Sequence, residues 1–157
     1  MSDDIYYLRK AQAVLQSSDD PSTKVGVVIA LADQRKVVYG VNSLPPGIKR
    51  VLETMQREEK LDLIVHAELD AICTAARYGD QLLGSTMYLV ARTGFMNWGA
   101  APCHCCAKHV IAAGIRRFVT IRAAPPTRWV ESVLKGRALL EEAGILYEEV
   151  DYAKLAD

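Results

Sequence analysis

Apolar positions from Asp4 to Gln16 (Ile5, Leu8, Ala11, Ala13, Val14 and Leu15) recur at helical spacing and stop at Asp19-Asp20-Pro21, which predicts a first helix. Two runs rich in valine and isoleucine follow, Val25 to Leu31 and Lys36 to Val41, separated by Ala32-Asp33-Gln34-Arg35. They read as a β-hairpin whose first strand, apolar at nearly every position, lies inside a sheet. From Asn42 to Lys60 the pattern is irregular. Leu44-Pro45-Pro46-Gly47 rules out regular structure there, and the charged stretch Lys49 to Lys60 suits a short helix serving as a lid or an oligomer contact. His66 to Tyr78 carries Ala67, Leu69, Ile72, Cys73, Ala75 and Ala76 and predicts a buried helix capped by Gly79, with Cys73 in the core. Beyond it the chain alternates: strand Thr86 to Ala91, loop Arg92 to Ala101, helix Cys103 to Ala113 ended by Gly114, strand Arg117 to Arg122, helix Thr127 to Ala143 and strand Ile145 to Val150. An antiparallel hairpin followed by strand-helix alternation implies an α/β fold of three layers, a mixed five-stranded sheet with helices on both faces.

Composition narrows the class. The chain has 157 residues, half of them hydrophobic and 24% charged, which fits one globular domain over 1–157 and excludes disordered and fibrous classes. No apolar run reaches the roughly 18 residues of a membrane span, and Met1-Ser2-Asp3-Asp4 is acidic where a secretory leader is basic, so a cytoplasmic location is expected. Lys plus Arg equals Asp plus Glu at 19 each, whereas binding a long phosphate backbone needs a basic surface. A small nucleotide suits this balance better than a polynucleotide.

Three of the four cysteines crowd into Pro102-Cys103-His104-Cys105-Cys106, a spacing that favours a metal over disulfides in a reducing compartment. Cys103 and Cys106 are three residues apart, so both sulfurs face one side of a first helical turn. Cys103 with Cys105 is a competing chelate. Upstream, His66-Ala67-Glu68 opens a helix and offers an imidazole with a carboxylate two residues on. One His and two Cys leave a fourth tetrahedral position free, which is the make-up of a catalytic zinc site; a structural site closes all four. Glu68 is then placed to move protons, although an acid at a helix start also has a purely electrostatic reason to be there.

H-x-E followed by P-C-x-x-C is the signature of the zinc deaminases that act on nucleobases. The chain resembles the cytidine deaminase superfamily, and within it the deoxycytidylate (dCMP) deaminase branch, also through Asp20-Pro21-Ser22-Thr23-Lys24-Val25-Gly26, Gly40-Val41-Asn42-Ser43-Leu44-Pro45-Pro46-Gly47 and Ala143-Gly144-Ile145. The resemblance implies the cytidine deaminase-like fold, a Zn2+ cofactor held by His66, Cys103 and Cys106, and Glu68 as the acid-base group. It implies conversion of dCMP to dUMP plus ammonia, in a homo-oligomer such as a hexamer. Asn42 would hold the sugar, Ser22 and Lys24 would lie near the 5′-phosphate, and the Ala67 backbone and Pro102 carbonyl would meet the base edges. Trp98 would stack on the substrate or fill a protomer interface. Val41, Ser43, the Arg92 to Ala101 stretch and Ala123-Ala124-Pro125-Pro126-Thr127-Arg128-Trp129 depart from the branch. These departures leave other substrates open: a modified cytosine nucleotide, a nucleoside, a purine base or a tRNA adenosine. A zinc-stabilised binding module without turnover is the alternative from another class.

Overall fold

The computed structural model describes residues 3–33 and 35–155. Helix α1 (Asp3–Val14) runs into a tight turn at Leu15–Ser17, and strands β1 (Thr23–Ala30) and β2 (Val37–Val41) form the expected antiparallel hairpin. Gln34, in its connection, lies outside the described residues. After β2 the chain leaves the sheet and returns through the short helix α2 (Arg57–Leu63). Ser43 and Val65 clamp the two ends of this excursion by exchanging backbone hydrogen bonds of 3.1 and 2.8 Å. The helix in the charged stretch thus starts later than the sequence suggests, because the residues before it are spent on loop and a turn at Leu52–Thr54.

The remaining elements are α3 (Ala67–Tyr78), β3 (Thr86–Thr93), β4 (Met96–Trp98), α4 (His104–Ala112), β5 (Arg117–Arg122), α5 (Thr127–Glu142) and β6 (Leu146–Asp151). The main path of the sheet is β2-β1-β3-β5-β6, antiparallel between β1 and both of its neighbours and parallel from β3 through β6. The mixed five-stranded path matches expectation. A sixth strand does not: part of the stretch read as loop, Arg92 to Ala101, is a hairpin in which Thr93 pairs with Met96 and Ala91 with Trp98. Gly94, at φ 59°, takes the left-handed conformation that so tight a connection requires.

Alternation along the strands sorts the side chains into two cores. Val27, Ile29, Met87, Leu89 and Phe118 face α3, α4 and α5, with Ala71, Ala75, Val110 and Leu140 packed on them. Val28, Ala30, Tyr88, Val90, Val119 and Ile121 face α1 through Ile5, Leu8, Ala11 and Leu15. Complete burial of each large aliphatic side chain is worth about 1.5–3 kcal/mol, so both faces contribute heavily to stability. Cys73 is a correction: it is exposed on α3, because the buried face of that helix runs through Ala67, Glu68, Ala71 and Ala75.

Two glycines seat the helices of the first core. A Cβ on Gly40 in β2 would lie 2.3 Å from the Ala67 carbonyl oxygen, and one on Gly136 in α5 would lie 1.8 Å from the Pro102 carbonyl oxygen. Both contacts are main chain against main chain, and both occur next to residues singled out above for their chemistry.

Candidate metal centre and active-site cavity

His66 ends the extended segment after the Ser43–Val65 clamp and is the N-cap of α3; Cys103 is the N-cap of α4. The sheet brings these two helix starts together. His66 Nδ1 lies 3.5 Å from the Cys103 sulfur and 3.4 Å from the Cys106 sulfur, and the three donor atoms fall within 4.8 Å of one another. The Cys103 sulfur also accepts the Cys106 amide at 3.4 Å, as an N-cap acceptor does. Cys105 is exposed beside His104, its sulfur 3.4 Å from the His104 Nε2, and stands outside the cluster.

Without a cation this cluster is electrostatically crowded. A hydrogen bond from Cys106, with His66 alongside, brings the Cys103 thiol down to about 3, and the resulting thiolate pushes Cys106 upward. His66 is pushed up to about 9, chiefly by its hydrogen bond to Cys103. The Cys106 thiol and the His66 imidazole therefore hold protons beside the Cys103 thiolate, and a divalent cation bound by all three would displace them. The donor set fits a borderline-soft metal such as zinc.

Glu68, in the first turn of α3, is buried at 6% exposure and lines the same cavity as His66 and Cys103. Desolvation raises its carboxyl above the ordinary range, against the opposing pull of His66. The other walls are largely apolar: Val25 and Leu89 from the sheet, Ile64 from the clamped excursion, Trp98 from β4, and Trp129 and Val133 from α5.

The other residues named from sequence are placed unevenly. Asn42 and Ala67 line the cavity, as does Trp98, whose Nε1 donates to Thr93 at 3.1 Å. The Asn42 amide also ties β2 to β1: its Oδ1 accepts from Val25 N at 2.7 Å and Ser18 Oγ at 2.6 Å, and its Nδ2 donates to the Thr23 carbonyl at 2.7 Å. The Pro102 carbonyl is pressed against Gly136, and the neighbouring Ala101 lines the cavity. Ser22 lies in an adjoining groove, bonded to Asp20 and Lys60. Lys24 belongs to neither: Thr23 and Val25 face the cavity, and Lys24, between them, donates to the Ser18 carbonyl at 2.7 Å. The sequence pattern missed Thr23, Trp129 and Val133 as wall residues.

The sequence profile of the cytidine and deoxycytidylate deaminase zinc-binding region matches residues 1–122. The chain belongs to the cytidine and deoxycytidylate deaminase family. A mouse deoxycytidylate deaminase is 29% identical over 150 residues, covering 92% of this chain and 77% of its own length. An Aliivibrio fischeri protein, described as an uncharacterized deaminase in the luxG 3′ region, is 31% identical over 141 residues, covering 88% and 87%. The crystal structure of the cyanophage S-TIM5 dCMP deaminase, in complex with dCMP and dUMP, superposes with a TM-score of 0.73 over 92% of this chain and 94% of that one, at 20% identity. That likeness establishes the cytidine deaminase fold. Family membership makes the chain a hydrolytic deaminase of a zinc-binding family, with a His/Cys/Cys group able to hold a metal. Among the described residues, no helix is long and apolar enough to cross a membrane.

Proposed function

We propose that the protein hydrolyses dCMP to dUMP and ammonia with zinc held by His66, Cys103 and Cys106. The observation that carries this reading is the three-donor cluster sharing one largely apolar cavity with a buried Glu68 whose carboxyl is shifted upward by desolvation. The choice of dCMP is supported by the mouse relative and the cyanophage structure. Zinc, when bound, lowers the pKa of water enough to make it a nucleophile at neutral pH. Every proton movement then falls to Glu68. Its carboxylate accepts a proton from the attacking water, passes it to the ring nitrogen beside the amino-bearing carbon, and transfers the second proton of that water to the departing amino group. Water plus the aminopyrimidine yields the oxopyrimidine plus ammonia, and Glu68 ends as it began. Burial suits it to this double duty, because desolvation makes the carboxylate a stronger base than an exposed one.

The apolar walls, with Trp98 among them, suit the faces of an aromatic base and keep bulk water away from the proton transfers. In this reading the Ala67 backbone and the remaining Asn42 amide N–H contact substrate. Ammonia release from a panel of dCMP, deoxycytidine, CMP, adenine and adenosine tests the proposal. Preference for dCMP is expected, and turnover of a purine without turnover of dCMP overturns the substrate assignment. The homo-oligomer and the cytoplasmic location belong to this proposal too, and light scattering on the zinc-loaded protein tests the former.

A further inference from the structure

We propose that Trp98 sets the size limit of the cavity: held rigid by the β3–β4 hairpin, its indole admits a one-ring base and turns away a two-ring one. This rests on the reading of the cavity as the seat of a nucleobase, and it names the wall that selects among bases. The hairpin lies in the Arg92 to Ala101 stretch, where the chain departs from the deoxycytidylate deaminase branch, so the family resemblance does not supply this wall.

The cavity is small, about 90 Å³ in volume, against the roughly 300–1,000 Å³ of sites that take drug-sized ligands. In so little space the placement of one large side chain decides what enters. A misfit of a single methylene in an apolar pocket already discriminates by about 10–200-fold, and the second ring of a purine exceeds a methylene. Such a filter works only where the wall resists displacement, because a side chain free to swing aside accommodates the larger guest.

Two tryptophans line the cavity, and they are held differently. Trp98 is buried at 7% exposure, and its Nε1 donates to Thr93 Oγ1 at 3.1 Å, which in turn shares a hydrogen bond of 3.2 Å with Thr23 Oγ1. The residues on either side of it are pinned as well. Asn97 accepts from Arg92 Nε at 2.7 Å and donates to the Tyr152 hydroxyl at 2.6 Å. Gly99 donates its N–H to the Ala123 carbonyl at 2.9 Å and lies so close to β5 that a Cβ there would collide with the Ile121 carbonyl oxygen. Side chain and backbone therefore leave the Trp98 indole nowhere to retreat. Trp129 is only half-buried, and its Nε1 has no hydrogen-bond partner among the described residues. The rigid wall is Trp98, and the adaptable one is Trp129.

Titration calorimetry on the zinc-loaded protein compares dUMP with dAMP, which share sugar and phosphate and differ in the size of the base. Wild type should prefer dUMP by about 100-fold or more. Trp98→Ala should shrink that preference by about 100-fold and Trp98→Phe by about tenfold. Thr93→Val keeps the indole but removes its anchor, and should shrink the preference by about threefold. Metal content and thermal melting identify a Trp98→Ala protein that fails to fold, and Trp98→Phe then decides. The inference is overturned by a preference unchanged in the deciding variant, by a larger change in Trp129→Ala than in that variant, or by a wild type that binds both nucleotides alike or neither. Turnover of dCMP is measured alongside. The expected shifts without turnover refute the hydrolytic reading and leave the size limit standing, whereas turnover with an unchanged preference does the reverse.

Discussion

Two carboxylates on opposite faces of one sheet have opposite fates. Asp4, on the α1 side, receives both ends of the Arg117 guanidinium at 2.7 and 2.9 Å and the Tyr88 hydroxyl at 2.9 Å, and Arg117 also binds Glu148. The Arg117 bond comes first among the causes that hold Asp4 below its ordinary pKa of 3.8. Glu68, on the other side, is more deeply buried, forms no ion pair among the described residues and is shifted upward by desolvation. A partnered acid is fixed in one charge state and serves stability. An acid buried without a bonded cation is pushed toward its protonated form by desolvation, which stability alone does not favour.

The sharpest break in this comparison comes from Glu68→Gln. Turnover should fall by about a thousandfold or more, the usual weight of a general acid-base group, with metal content by atomic emission and melting temperature held. Near-full activity would remove Glu68 from the chemistry. Next, His66→Ala or Cys106→Ala should strip the metal and lower the melting temperature, as should a chelator on wild type, whereas Asp4→Asn leaves metal content intact. Asp4→Asn should in turn reduce unfolding free energy by about 1–3 kcal/mol in urea titrations, without changing kcat. Loss of activity at unchanged stability would mean that the two faces are not independent.

The smallest effect is one of pH. Asp4 is lowered on folding, so its contribution is fully present above its ordinary value of 3.8 and is lost as pH falls through that value toward its folded one. Asp20 is lowered as well: burial opposes this, but the Ser22 and Thr23 amides, the Ser22 hydroxyl and Lys60 outweigh it. Wild type and Asp4→Asn should therefore converge in stability below about pH 3.8. A gap that stays constant down to about pH 2 would assign the benefit to neutral hydrogen bonding instead.

The grouping of His66, Cys103 and Cys106 beside Glu68 was legible in the sequence because its parts are local. Cys103 and Cys106 sit one helical turn apart, and His66 and Glu68 sit two residues apart at a helix start, so residue type and spacing carried the reading. The strand-helix alternation was legible for the same reason. Trp129 and Val133 were not, because they reach the cavity only through the packing of α5 against α4, which no local spacing records. Strand β4 hid behind Gly94 and the fully exposed Phe95, whose pattern imitates a loop. Lys24 and Lys60 show the same limit from the other side. The lysine nearest a suggestive motif faces away, while one 36 positions further along the chain lines the groove.

Gly40 and Gly136 have a consequence for how such a chain can change. Because bare backbone abuts bare backbone at both places, no side chain acts as a spacer between the imidazole-bearing and thiol-bearing helices and their supports. The interior can exchange one aliphatic residue for another over long divergence while the separation of the three donors stays set by peptide planes. A single methyl group at either point of contact would instead act like grit in a bearing.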